Sequence, residues 1–189
     1  AFGSRLSITE TLTDNVRLSS TDRRSELITQ ISPNISVRSD AGRIQGSLNY
    51  ALNGLIYARE SGSNTVQHAL NASGKAMLVE NFAYVDASAS ISQQLISAFG
   101  PASPGTGMLG GNQTRVATWS VTPYVTGQLG GFATYDARVS YSETDTGASS
   151  IGNSSSTTAS VRLGSDSSLA RLGWSIDATH QESDYSAGR

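Results

Sequence analysis

The sequence predicts an all-β chain: an antiparallel up-and-down transmembrane β-barrel, with about nine strands present. Three observations predict it. Apolar and polar residues alternate with period two through successive segments, which puts them on opposite faces of a strand. The alternation holds for roughly 10 to 14 residues at a time, whereas roughly 9 to 11 are enough to cross a bilayer with tilt. Short and long gaps alternate between the segments, as where tight turns lie on one side of a membrane and roomy loops on the other.

Residues 4–13 form the first strand, with Leu6, Ile8 and Leu12 on one face and Asp14 to Arg24 as its loop. The second shows the pattern best. Leu27, Thr29, Ile31, Pro33, Ile35 and Val37 alternate with Gln30, Ser32, Asn34, Ser36 and Arg38. Ser39-Asp40-Ala41-Gly42 reads as a tight turn, because Gly42 can adopt positive φ. The third strand sets Ile44, Gly46, Leu48, Tyr50, Leu52 and Ile56 against Arg43, Gln45, Ser47, Asn49 and Asn53. A modest loop around Glu60 to Asn64 leads to the fourth, where Val66, Leu70, Ala72, Ala76 and Leu78 oppose Gln67, Asn71, Ser73 and Lys75.

Glu80-Asn81 marks a short turn, and the fifth strand places Ala83, Val85, Ala87, Ala89 and Ile91 opposite Tyr84, Asp86, Ser88, Ser90 and Ser92. The longest gap, Ser97 to Gln113, is rich in Gly and Pro. In the sixth strand Ala117, Trp119, Val121 and Val125 oppose Thr118, Ser120, Thr122 and Thr126, and the turn at Gly127 to Gly131 is short. The seventh sets Ala133, Tyr135, Ala137, Val139 and Tyr141 against Thr134, Asp136, Arg138 and Ser140. After a polar loop, Glu143 to Ser154, the eighth carries Ala159, Val161 and Leu163. A brief Ser165-to-Ser168 turn precedes the ninth, with Leu172, Trp174, Ile176 and Ala178. No helix is expected.

The polar faces argue against a dry core. They carry Ser, Thr, Asn, Gln and Arg throughout, side chains that suit a hydrated lumen where each keeps water as a partner. Strands of a soluble sandwich rarely alternate cleanly for so long. An odd strand number departs from the even number usual in bacterial barrels, and Ser186-Ala187-Gly188-Arg189 supplies no closing apolar strand. The expectation is a single domain over residues 1–189 that is the N-terminal part of a larger barrel.

Composition narrows the function. Hydrophobic residues make up 37% of the 189-residue chain and charged residues only 15%, with Lys75 the sole lysine. A net charge of −2 offers no basic face for nucleic acid. Cysteine is absent, which removes disulfides, thiolate metal sites and thiol catalysis. No run reaches the roughly 18 apolar residues of a membrane helix. Ala1-Phe2-Gly3 shows neither the charged nor the apolar part of an export signal, as expected if that signal has been removed or the native chain starts elsewhere.

Only two histidines exist, His68 and His180, and strand parity puts both on the apolar side near loop-proximal ends. A catalytic histidine needs a nucleophile or water and usually a carboxylate, so these read as interfacial imidazoles and no catalytic residue is expected. No metal or cofactor site is expected either; the acidic loops lack the carboxylate spacing of a calcium loop. The candidate functional residues are lumen-lining: Arg38, Arg43, Asn49, Lys75, Asp86, Asp136, Arg138, Arg162, Arg171 and Asp177. They could select solutes, or Arg–Asp pairs could brace neighbouring strands. Trp119, Tyr135, Tyr141 and Trp174 suit an interfacial aromatic girdle, while Tyr57, Tyr84, Tyr124 and Phe99 are the candidates for stacking on sugars.

Several segments carry a family resemblance. Ile8-Thr9-Glu10-Thr11-Leu12-Thr13-Asp14-Asn15-Val16, Leu27-Ile28-Thr29-Gln30-Ile31-Ser32-Pro33-Asn34-Ile35-Ser36 and Val85-Asp86-Ala87-Ser88-Ala89-Ser90-Ile91-Ser92-Gln93-Gln94 lead it. Phe99-Gly100-Pro101 and Arg171-Leu172-Gly173-Trp174 continue it. In order and spacing they resemble the PEP-CTERM-system-associated outer-membrane β-barrel family of Gram-negative bacteria. The resemblance implies a porin-like membrane protein of the outer membrane, set among functions of exopolysaccharide synthesis and export, with outer-membrane lipid, polysaccharide and export machinery as partners. It transfers no catalytic residue. The expected function is a passive pore or assembly component for extracellular polysaccharide export. The alternatives are a structural or adhesive surface protein acting through its loops, and a soluble carbohydrate-binding β-sandwich.

Overall fold

Period-two alternation produces strands wherever it was expected. The computed structural model describes residues 1–40, 42–98, 107, 109, 112–148, 152–165 and 173–186. Its strands are β1 (Phe2–Thr13), β2 (Glu26–Ser39), β3 (Ile44–Tyr57), β4 (Thr65–Val79), β5 (Ala83–Leu95), β6 (Gln113–Leu129), β7 (Ala133–Thr146), β8 (Asn153–Ser165) and β9 (Ser175–Ser186). All belong to one antiparallel sheet in chain order, β1 to β9. Each strand pairs with the next by hairpin connection, so the sheet is a pure meander. The described residues therefore form one sheet rather than the two of a sandwich.

The sheet is open. β1 and β9 make no contact with each other, so closure into a barrel is not part of this structure. Smaller departures from the sequence expectation also appear: β6 continues to Leu129 and β7 to Thr146, and β8 starts at Asn153, so segments expected as turn and loop extend the strands. Ser61–Ser63 forms one 3₁₀ turn between β3 and β4, where no helix was expected; Gly62 and the polar residues around it favour a local turn over extension. β9 begins at Ser175 rather than near Leu172, which lies outside the described residues. Gly173, with no side chain to pack, is a poor strand residue at that point. Pairing nevertheless reaches one residue further, since the Ser165 amide donates to the Trp174 carbonyl at 2.9 Å.

The short turns follow their residues. Gly42, Gly130 and Gly131 adopt φ of 76°, 55° and 74°, and Asn81 adopts 55° in the β4–β5 turn. These left-handed conformations tighten a hairpin at little steric cost in Gly and are tolerated by Asn. Next to the β6–β7 turn, Gly127 lies under the Tyr135 ring, and a Cβ there would sit 2.6 Å from its hydroxyl oxygen.

Register fixes which residues share a face. Leu48 opposes Val37 and Ala72; Trp119 opposes Ala89; Val161 opposes Ala137 and Ala178. This apolar face is largely uncovered: in interior strands Val161 is 48% accessible, Val139 47% and Trp119 44%. In β2 and β8 the polar positions are the better covered, whereas in β4 Asn71, Ser73 and Lys75 are the exposed ones. Burying one large apolar side chain stabilises by about 1.5–3 kcal/mol, so a water-facing apolar stripe across nine strands forfeits a large stabilisation. Total accessible surface is 12197 Å², against about 8,600 Å² expected for a compact monomer of this mass. The only hydrophobic core cluster among the described residues is small and sits at the loop end: Val16, Ile28, Leu55 and Tyr57, with Leu109 against it.

Candidate functional site: the polar face of the sheet

All the described lumen-lining candidates except Arg43 lie on strands and share one face. Arg38 opposes Ser47, Asn49 opposes Ser36 and Asn71, Lys75 opposes Gln45 and Asp86, and Asp136 opposes Thr126 and Arg162. Arg138 opposes Tyr124, and Arg162 opposes Asp177. Arg43 lies in the β2–β3 turn, where its carbonyl accepts from the Met77 amide at 2.8 Å. Arg171 lies outside the described residues, as does Phe99.

The face is divided along the strands. Over the middle of the strands it is mostly uncharged and laced by side-chain hydrogen bonds between strands. Asn34 Nδ2 donates to Asn49 Oδ1 at 2.6 Å, and Ser32 Oγ to Asn53 Oδ1 at 2.8 Å. Ser88 and Ser120 hydroxyls meet at 2.8 Å, as do Thr118 and Thr144 at 3.1 Å. Thr122 Oγ1 donates to Ser140 Oγ at 2.9 Å. Each such bond contributes only about 0.5–1.5 kcal/mol net, yet together they favour one register.

Towards the short turns the face is charged. Arg138 donates to both oxygens of Asp136, at 2.7 and 2.6 Å, along its own strand. Arg162 and Asp177 form the bridge between strands, with Nε 3.6 Å from Oδ1. Arg38 instead pairs with Asp40 in the adjoining turn, at 2.7 Å. Bracing by Arg–Asp pairs is thus present, and mostly local rather than across strands. Asp40 is held below the usual carboxylate range chiefly by the hydrogen bond from Arg38.

Two tyrosines complete this end. Tyr84 and Tyr124 stack at 5.2 Å between centroids, with a 20° interplanar angle. Lys75 Nζ lies 4.7 Å from the Tyr84 centroid, and Arg138 Cζ lies 5.1 Å from that of Tyr124. Cations over ring faces are favoured by the ring quadrupole. Tyr57, the other described stacking candidate, is not free for a sugar. It is 2% accessible, and its hydroxyl donates to the Gly107 carbonyl at 2.8 Å.

The loop end holds what sequence reasoning missed. Ile28, Leu55 and Tyr57 fall on the polar face, where they meet Val16 from the β1–β2 loop and Leu109 from the β5–β6 loop. The Leu109 amide donates to the Val16 carbonyl at 2.8 Å. Beside them, Glu26 is 1% accessible and accepts from the amides of Leu27, Arg59 and Glu60 at 3.0, 2.9 and 2.8 Å. Arg17 bridges Asp22 and Glu60 at 3.0 and 2.9 Å. Hydrogen bonds to Glu60 are the chief reason its guanidinium is held above its ordinary value. A signal was present: Leu27-Ile28 and Leu55-Ile56-Tyr57 break the alternation, and adjacent apolar residues mark a strand covered on both faces.

On the apolar face, His68 Nδ1 lies 2.8 Å from the Tyr50 hydroxyl, and Trp119 packs against Tyr141 at 5.1 Å. Arg115 pairs with Asp145 at 2.7 Å beyond that aromatic pair, towards the loops. Among the described residues no three His, Cys, Asp or Glu side chains come together as a metal site. Compared with known proteins, the chain matches no family model, no curated protein and no solved structure.

Proposed function

We propose that the sheet is the wall of a transmembrane β-barrel in a bacterial outer membrane. Its polar face borders an aqueous passage that serves, as a passive pore or assembly component, the export of extracellular polysaccharide. The observation that carries this reading is the two-sided sheet itself: interior strands leave Leu48, Trp119, Val139 and Val161 exposed on one face, while hydroxyls, amides and charges line the other. Lipid removes the cost of the first, and water in a lumen satisfies the second. The apolar stretch of β7, Ala133 to Tyr141, matches the roughly 9 to 11 residues of a tilted span. It ends where Glu143 and Asp145 begin, as a membrane boundary would require.

The family reading, a PEP-CTERM-associated outer-membrane barrel, rests on the quoted segments and agrees with the all-β meander. Export rather than catalysis fits a face of neutral hydroxyls at mid-strand with charges towards the strand ends, which lets a hydrated polymer slide without tight binding. The adhesive alternative draws support from the loop end, where Glu26, Arg17 and the apolar cluster hold three loops in place.

Planar-bilayer recording on the full-length protein tests the passage. Stepwise ion conductance is the expected result. A heat-modifiable, folded protein that never conducts would overturn the pore and leave the loop-binding alternative.

A further inference from the structure

Near the short turns a groove of about 470 Å³ opens between β3 and β6, bordered by Gln45, Ser73, Lys75, Asp86, Ser88 and Thr122. That volume is within the range of small-ligand sites. Its walls offer hydroxyls, an amide, one ammonium and one carboxylate. Lys75 faces Asp86 across the β4–β5 ladder, yet among the described residues it forms no ion pair within 4.0 Å. It leans over the tyrosine pair, 4.7 Å from one centroid and 5.4 Å from the other. A cation over a ring keeps its full charge, and with one donor turned to Tyr124 the ammonium has two left for a ligand.

Asp86 Oδ1 is buried without a hydrogen-bond partner, and Arg138 is already taken by Asp136. The groove therefore leaves Lys75 without a contacting anion, Asp86 acting on it only at longer range, and, after a turn of the carboxylate about its last side-chain bond, leaves Asp86 short of one donor.

We propose that this groove is a saccharide subsite that takes an acidic sugar residue. Lys75 holds the sugar carboxylate, and the Ser, Thr and Gln side chains exchange hydrogen bonds with its hydroxyls. The inference rests on the aqueous-passage reading and names the class of polymer it admits. A neutral sugar leaves the ammonium without a contacting anion. A simple anion leaves the hydroxyl wall unused.

Calorimetric titration of the full-length protein in detergent tests it with trigalacturonate, maltotriose and citrate as probes. Trigalacturonate is expected to bind at least tenfold more tightly than either of the others. Lys75→Gln should weaken trigalacturonate about tenfold and leave maltotriose unchanged. Equal affinity for maltotriose or citrate, or no effect of Lys75→Gln, overturns the proposal. Should Lys75→Gln lose heat-modifiable migration, Asp86→Asn replaces it. Removing that carboxylate should tighten trigalacturonate several-fold, and unchanged or weaker binding overturns the subsite. A wild type that conducts ions without binding trigalacturonate removes the subsite and keeps the passage. Lys75-dependent binding without conductance upholds the subsite and removes the passage.

Discussion

Single positions on this sheet have very different tolerances, and facing decides them. Val161 and Ala137 oppose each other on the apolar face, while Ser160 opposes Arg138 on the polar one. Val161→Arg or Ala137→Arg should cost about 2–4 kcal/mol in lipid, read by denaturant titration of the full-length protein folded into vesicles. Ser160→Arg should cost far less. Equal costs on the two faces would refute the lipid-facing assignment. Gly127 gives a steric test. Gly127→Val places atoms inside the Tyr135 ring and should destabilise by about 1–3 kcal/mol, a loss that Tyr135→Leu restores in part. Asp40 gives a test against pH. Its depressed carboxyl stabilises the turn above about pH 4 and loses that contribution as pH falls through the lowered value. Both partners are about two-thirds exposed, so the effect is small and fades with salt. Amide exchange in the β2–β3 turn at pH 3 and pH 6 would read it.

Among elements, the strands and the loops obey different rules. The strands follow alternation, and their order follows from hairpins that leave no freedom of connection. The loop ends depend on contacts between segments far apart in sequence. Tyr57 reaches Gly107, Val16 reaches Leu109, and Glu26 gathers amides from Arg59 and Glu60. Tyr57→Phe should cost about 0.5–1.5 kcal/mol for the lost hydrogen bond and speed exchange of the Leu109 amide. Unchanged exchange at Leu109 would show that the apolar cluster alone holds that loop. These links were illegible beforehand because a loop residue carries no periodicity to betray its partner. The adjacent apolar pairs at the strand ends were the one available hint, and they name a covered region without naming what covers it.

Across the whole molecule, the open edges are the feature that lipid would punish. The outer edges of β1 and β9 carry backbone groups without ladder partners among the described residues, and each unsatisfied group in hydrocarbon costs several kcal/mol. The full-length protein should therefore migrate as a compact species in cold detergent gels and shift on heating. Solubility without detergent and a single band at both temperatures would contradict the barrel reading. Arg43, expected on a strand face, lies in a turn. Strand identity, the shared face of the charged residues that lie on described strands and the separation of apolar from polar stripes were determined by the sequence alone. They follow from a two-residue period that the backbone imposes on every strand. The tertiary structure decided which residues meet: Lys75 over the tyrosines, Arg138 on Asp136 within one strand, and an apolar plug at the loop end of a polar face. Register and loop docking set these distances, and both are properties of chain segments brought together, which no local pattern encodes.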